Sequence, residues 1–208
     1  METTRTSEAS HTSPHYLDQI SLGKIVQIRE RLLKAQATGV PVIRFESGDP
    51  SFSLAPRVLD AIDVAARAGK THYIPNNGIP QLRDALAAKA CSRNGLVDVT
   101  ADDIFVTNGA MHALYVAFGS LLSPGDEVIV PDPMWTEVVE NIRMAGGTPI
   151  GVELSAADDF EYRPDRIRAA ITQHTRAIFL NTPHNPTGAV LSRGTLLEIL
   201  EIARENDL

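Results

Sequence analysis

At 208 residues and 43% hydrophobic composition, the chain is long enough to bury a core as one domain, or as one domain with a small appendage. The formal net charge of -7 comes from 26 acidic and 19 basic residues mixed along the sequence, with no basic run to follow a phosphate backbone, so nucleic acid is not an expected partner. The single cysteine, Cys91, excludes an internal disulfide, and neither it nor the six histidines fall in a CxxC or HExxH spacing, so no metal site is expected. No stretch reaches ~18 uninterrupted apolar residues, and the first twenty, rich in Ser, Thr and His, lack an apolar signal core. The expectation is a cytoplasmic protein with no membrane span and a loose tail over residues 1–19.

Apolar residues at Ile20, Ile25, Ile28, Leu32 and Leu33 recur at helical spacing and predict a helical arm from Ile20 to Ala37, punctuated by Gly39 to Pro41. A short strand is predicted from Val42 to Phe45 and a helix from Pro56 to Ala68. Two prolines, two asparagines and a glycine make Tyr73 to Pro80 a loop. The helix-rich run Gln81 to Ala90 follows, with Asn94-Gly95 as its stop. From residue 103 the pattern becomes alternation. Strands are predicted at Asp103 to Thr107, Glu127 to Val130, Thr148 to Leu154 and Arg176 to Leu180. Helices are predicted at Ala110 to Leu122, Met134 to Ala145, Pro164 to Thr172 and Thr195 to Asn206. Strand-helix units of this length imply an α/β fold, a mostly parallel sheet flanked by helices. The expected division is a tail over 1–19, an arm and small-domain segment over 20–50, and an incomplete cofactor-binding large domain over 51–208.

In parallel sheets ligands lie beyond the carboxyl ends of the strands, and three such places carry suggestive residues. Thr107-Asn108-Gly109-Ala110-Met111-His112 runs from a predicted strand through a glycine into a helix, whose N-terminal end suits a phosphate; many such turns bind nothing. Pro131-Asp132-Pro133-Met134-Trp135 puts the one tryptophan at a helix start, where its ring could stack on a flat cofactor or simply pack. Asn181-Thr182-Pro183-His184-Asn185-Pro186-Thr187-Gly188 is a rigid turn in which an Asn can donate to an anionic ring oxygen, or serve the turn alone.

Taken in order, these segments resemble the class I/II aminotransferases, the aspartate-aminotransferase-like branch of the pyridoxal-phosphate enzymes. The resemblance begins near Ile20 and rests on five pieces in register: Glu46 to Phe52, Tyr73 to Arg83, Thr107 to Ala110, Pro124 to Val128, and Asn185 to Gly188. It implies pyridoxal 5'-phosphate as cofactor and amino-acid and 2-oxo-acid substrates. The turn at Gly109 and the backbone at Ala110 and Met111 would hold the cofactor phosphate, Trp135 would stack on its ring, and Asn185 would bond its phenolic oxygen. Gly48 would approach the substrate carboxylate. Tyr73 would reach the cofactor phosphate of a neighbouring subunit, which implies a homodimer. Two positions depart from the family pattern: Met111 stands where a polar or basic residue is frequent, and His184 where asparagine is frequent.

The family reaction needs a lysine amine to form a Schiff base and an acid to keep the pyridinium charged. The four lysines, Lys24, Lys34, Lys70 and Lys89, all precede the cofactor motifs. No catalytic residue is therefore assigned, and this chain is expected to be an inactive fragment of an aminotransferase. The alternatives are a lyase or decarboxylase on the same scaffold and a non-catalytic remnant or interaction module. A nicotinamide-dependent dehydrogenase is not expected, since neither Gly109 nor Gly146-Gly147 belongs to a GxGxxG turn.

Overall fold

A computed structural model describes residues 24–45, 48 and 50–208. The expected tail, the start of the arm at residues 20–23, and Glu46, Ser47 and Asp49 lie outside the described residues. The described chain divides into two compact units, residues 25–113 and residues 114–208.

The first unit is helical. Helix α1 (Lys24–Ala37) carries the predicted arm, α2 (Pro56–Arg67) opens with proline at its first position, and α3 (Pro80–Asn94) does the same. Proline there costs nothing, because that N–H has no intrahelical acceptor. Helix α3 ends as its sequence requires: Gly95 adopts φ +69°, the left-handed conformation that closes a helix.

Two predicted strands are absent. Residues 42–45 form no strand, with Ile43 and Phe45 among the most exposed hydrophobics. Residues 104–107 follow a 3-10 turn, Ala101–Asp103, and also join no sheet. A β-prone sequence becomes a strand only within a ladder of backbone bonds, and neither segment joins one among the described residues. In the second case the ladder bonds go elsewhere. The Val106 N–H donates to the Asn77 carbonyl at 3.1 Å, and the Ile104 carbonyl accepts from the Arg83 side chain at 3.2 Å.

Helix α4 (Gly109–Leu121) spans the boundary in sequence. The second unit then alternates as predicted: β1 (Glu127–Asp132), α5 (Thr136–Met144), β2 (Thr148–Glu153), α6 (Pro164–Ala170), β3 (Thr175–Ile178) and α7 (Arg193–Glu205). The strands form a parallel sheet in the order β2-β1-β3, with β1 central. Val128, Ile129 and Val130 of β1 are all buried, so this strand reads as a continuous apolar run because both of its faces are covered. Val138 and Ile142 of α5, Ile167 of α6, and Ile199 and Ile202 of α7 supply the covering side chains at helical spacing. Ile129, Val152, Leu154, Tyr162, Ile167 and Ile199 form one continuous cluster. The Ser192 hydroxyl caps α7 by accepting the Thr195 N–H at 3.0 Å.

Candidate functional site

Within residues 25–113, the chain enters α4 through a sharp turn. Gly109 takes φ +79°, a conformation that side-chain-bearing residues rarely adopt, and no atom lies within 4 Å of the place a Cβ would occupy. Its N–H donates to the Thr107 carbonyl at 2.8 Å, and the Thr107 hydroxyl donates to the Gly109 carbonyl at 3.0 Å. The Asn108 N–H donates to Nδ1 of His112 at 3.1 Å, so the imidazole closes the turn from inside the helix. The first turn of α4 contains no acidic residue. Ala110 is exposed there, its N–H at a position with no intrahelical acceptor, at the positive end of the helix dipole.

An open cleft of about 590 Å³ borders this turn, lined by Tyr73, Asn76, Gly78, Val106, Asn108 and His112 among others. Tyr73 is fully exposed. Gly109, Ala110 and Met111 continue the chain from the cleft wall at Asn108. Gly48 is exposed, with open space around it, and does not line this cleft.

The wall is held by Arg83, whose side chain is 13% exposed. Its Nη2 donates to the Ala101 carbonyl at 2.5 Å and to Asp102 Oδ1 at 3.1 Å, while Nε donates to the Ile104 carbonyl at 3.2 Å. With its amide oxygen turned to the guanidinium, Asn77 accepts from Nη1 and Nη2 at 3.1 and 3.2 Å. Gly78 makes the approach possible: at φ +104° its missing Cβ would stand 2.5 Å from Cγ2 of Val106. The loop bearing Tyr73 is thereby fixed to the segment that leads into the Gly109 turn. Below it, Asp103 accepts from the Thr100 N–H and hydroxyl, both at 2.9 Å, and these bonds hold its exposed carboxyl below the usual range.

Within residues 114–208, Trp135 and Asn185 follow the carboxyl ends of the adjacent strands β1 and β3. Trp135 is half-buried and occupies the N-cap position of α5. Asn185 is exposed on its turn, and its N–H donates to Oδ1 of Asn181 at 2.7 Å. His184 points the other way and is 2% exposed. Its Nδ1 is hydrogen-bonded to the Thr187 hydroxyl at 2.8 Å, and its ring meets Tyr162 edge-on at 5.9 Å between centroids. Nε2 is buried without a well-aligned hydrogen bond. Burial pushes the imidazole below its ordinary pKa, and the nearby Pro133 backbone offsets this only in part. Tyr162 is shifted upward by burial, against a smaller opposing effect of the Asn181 backbone. Among the described residues no group of His, Cys, Asp and Glu could hold a metal ion.

Residues 40–208 match the family model for aminotransferase class I and II. The chain belongs to that family. Among similar aminotransferases is the aspartate/prephenate aminotransferase of Thermus thermophilus, 40% identical over 88% of this chain and 47% of its own length. The aspartate aminotransferase of Streptomyces avermitilis is also 40% identical, over 88% of this chain and 44% of its own. The solved aspartate aminotransferase of Thermus thermophilus with maleate superposes at a TM-score of 0.88 and 38% identity, over 93% of this chain and 50% of that one. The alanine aminotransferase of Pyrococcus furiosus gives 0.84 at 33% identity, covering 98% and 50%. The chain thus spans about half the length of the curated relatives it matches.

Of the residues singled out by sequence, Tyr73 shares a cleft with the approach to the Gly109 turn, and Trp135 and Asn185 share the carboxyl edge of one sheet. Arg83 and Tyr162 received no role from sequence, and Asn181 only its place in the rigid turn. Arg83 and Asn181 both stand inside motifs of the sequence, a usable signal; the bonds that Tyr162 and Asn181 make to backbone atoms are announced by no spacing.

Proposed function

We propose that this chain forms part of a pyridoxal-phosphate-dependent aminotransferase that moves an amino group between an amino acid and a 2-oxo acid, with an acidic amino acid such as aspartate as donor. The donor class is supported by the names of the relatives, which are predominantly aspartate aminotransferases. The reading is carried by the acid-free first turn of α4, entered through the left-handed Gly109 and bordered by the Tyr73 cleft.

Residues 25–113 by themselves suit the cofactor's phosphate, and residues 114–208 by themselves suit its ring. The backbone at Ala110 and Met111 receives the phosphate, which the end of the helix dipole favours and no carboxylate in that turn repels. Trp135 offers a half-buried aromatic face to the pyridine ring, and the exposed Asn185 amide donates to the phenolic oxygen. Gly48 leaves room beside the substrate carboxylate. Tyr73, fully exposed, serves the phosphate of a neighbouring subunit in a homodimer. When bound, pyridoxal phosphate supplies the electron sink for bond breaking at the substrate's α-carbon. The reaction also needs a lysine amine. Lys34, Lys70 and Lys89 are exposed ahead of α4, and Lys89 is turned to Oδ1 of Asn94 at 3.4 Å. This chain alone is accordingly expected to give no turnover with aspartate and a 2-oxo acid.

The decisive experiment is equilibrium dialysis of the 208-residue chain against pyridoxal 5'-phosphate, comparing wild type with Ala110→Asp. An aspartate in the first turn complements the helix dipole, so the variant keeps or gains helix stability. It places a negative charge against the phosphate and should weaken binding at least about ten-fold. Equal affinity of the two proteins, or no saturable binding by wild type, would overturn the reading.

A further inference from the structure

Asn185 owes its position to a turn that cannot build its own hydrogen-bond ladder. Pro183 and Pro186 remove two backbone donors from it. Two of the remaining N–H groups find carbonyls: His184 donates to Ala189 at 2.8 Å, and Gly188 donates to His184 at 2.7 Å. The Asn185 N–H has a side-chain acceptor instead, Oδ1 of Asn181 at 2.7 Å. Asn181 is itself held at both of its main-chain polar atoms by one hydroxyl. Tyr162 donates to the Asn181 carbonyl at 3.0 Å and accepts from the Asn181 N–H at 3.3 Å. Tyr162 is 5% exposed and belongs to the central cluster, with His184 against its ring. A single path of directed bonds therefore runs from the packed core, through Tyr162 and Asn181, to the backbone of the exposed Asn185.

We propose that Asn181, pinned by Tyr162, is a positioning residue that fixes the aim of the Asn185 amide. This rests on the reading that Asn185 contacts the cofactor's phenolic oxygen. A donor aimed at a charged oxygen is effective only when its supporting bonds are already made, and here that support comes from side chains of the sheet unit's own core. Asn181 touches neither cofactor nor substrate; it acts through the Asn185 backbone.

The test has two readouts. In the cofactor-free chain, amide hydrogen exchange resolved by NMR is measured at Asn185 and at Val128 to Val130 of β1. Asn181→Leu keeps the branched shape and removes the acceptor, Tyr162→Phe keeps the ring and removes the hydroxyl, and Asn181→Asp retains an acceptor oxygen. Exchange at Asn185 should rise about five-fold in Asn181→Leu and Tyr162→Phe, the equivalent of one ordinary hydrogen bond, and return to near wild type in Asn181→Asp. The β1 amides should not change. Unchanged exchange at Asn185 in Asn181→Leu, no rescue by Asn181→Asp, or an equal rise in β1 each overturns the proposal.

The second readout is the pH midpoint of the phenolic ionisation of bound pyridoxal phosphate, followed by absorbance. It should move towards the free cofactor's value in Asn181→Leu and be restored in Asn181→Asp. If wild type binds no cofactor, the functional reading falls, while the exchange pattern still decides the role of Asn181.

Discussion

The two units of this chain use the same kinds of residue to different ends. Of the fifteen hydrophobic side chains buried among the described residues, thirteen belong to residues 114–208, and the other unit contributes only Leu32 and Ala87. Of the twenty-six large hydrophobics exposed among the described residues, twenty belong to residues 25–113. The sheet unit is held by apolar burial around β1. In the helical unit, the segments near the cleft are fastened by the polar fork of Arg83 and by the backbone bond from Val106 to Asn77. Amphipathic periodicity therefore tells that a helix owns an apolar face, not that anything in view covers it. Helix α2 shows this plainly: Val58, Leu59 and Ile62 form its stripe, and each is at least 40% exposed.

The largest expected effect tests that contrast directly. Ile129→Ala removes a side chain that is 1% exposed at the centre of the sheet and should lower the unfolding free energy by about 2–5 kcal/mol. Ile62→Ala, at 55% exposure on α2, should change it by no more than about 0.5 kcal/mol. Denaturant unfolding followed by circular dichroism checks both. A loss from Ile62→Ala approaching that from Ile129→Ala would show that the face of α2 is covered, and would break the comparison.

The same contrast decides what was legible in the sequence. The alternation from Glu127 onward predicts its elements to within two or three residues, because continuous apolar runs such as Val128 to Val130 and spaced pairs such as Val138 and Ile142 are the core itself. The strands at residues 42–45 and 103–107 are wrong for one physical reason: their β-prone composition was read without a partner to pair with. The turn residues Gly95 and Gly109 were legible because only their conformation explains a glycine there. The positions of Trp135 and Asn185 at strand ends followed from the strand pattern. What lay hidden was the polar scaffolding. The bonds of Arg83, Tyr162 and Asn181 to carbonyls and N–H groups depend on where the chain has folded, and leave no periodic trace.

A second, intermediate effect belongs to that scaffolding. Arg83→Met leaves the Ile104 carbonyl and the Asn77 amide oxygen without this donor and the Ala101 carbonyl with the Ile104 N–H alone, at a cost of roughly 1–3 kcal/mol. The loss should be local, appearing as faster hydrogen exchange over residues 101–108 with β1 unaltered. Arg83→Lys should restore little, since one ammonium cannot reproduce a planar fork that reaches four separate acceptors. Full rescue by lysine would mean that charge, not geometry, fastens the helical unit.

The smallest effect concerns the one buried imidazole of the sheet unit. His184 is packed against Tyr162 and Thr187, and burial lowers its pKa in the folded chain. An unfolded imidazole titrates near about 6.5, so below that pH the unfolded chain takes up a proton that the folded chain refuses. Stability is fully present above the unfolded value and is lost progressively as pH falls through it towards the lower folded value. His184→Asn keeps a polar partner for Thr187 and removes the titration. Wild type should therefore lose stability relative to this variant between about pH 7 and 5, measured as the difference between their denaturant midpoints. A difference that stays constant across that range would place the His184 proton at no cost, and the turn carrying Asn185 would then rest on a site open enough to hydrate a charge.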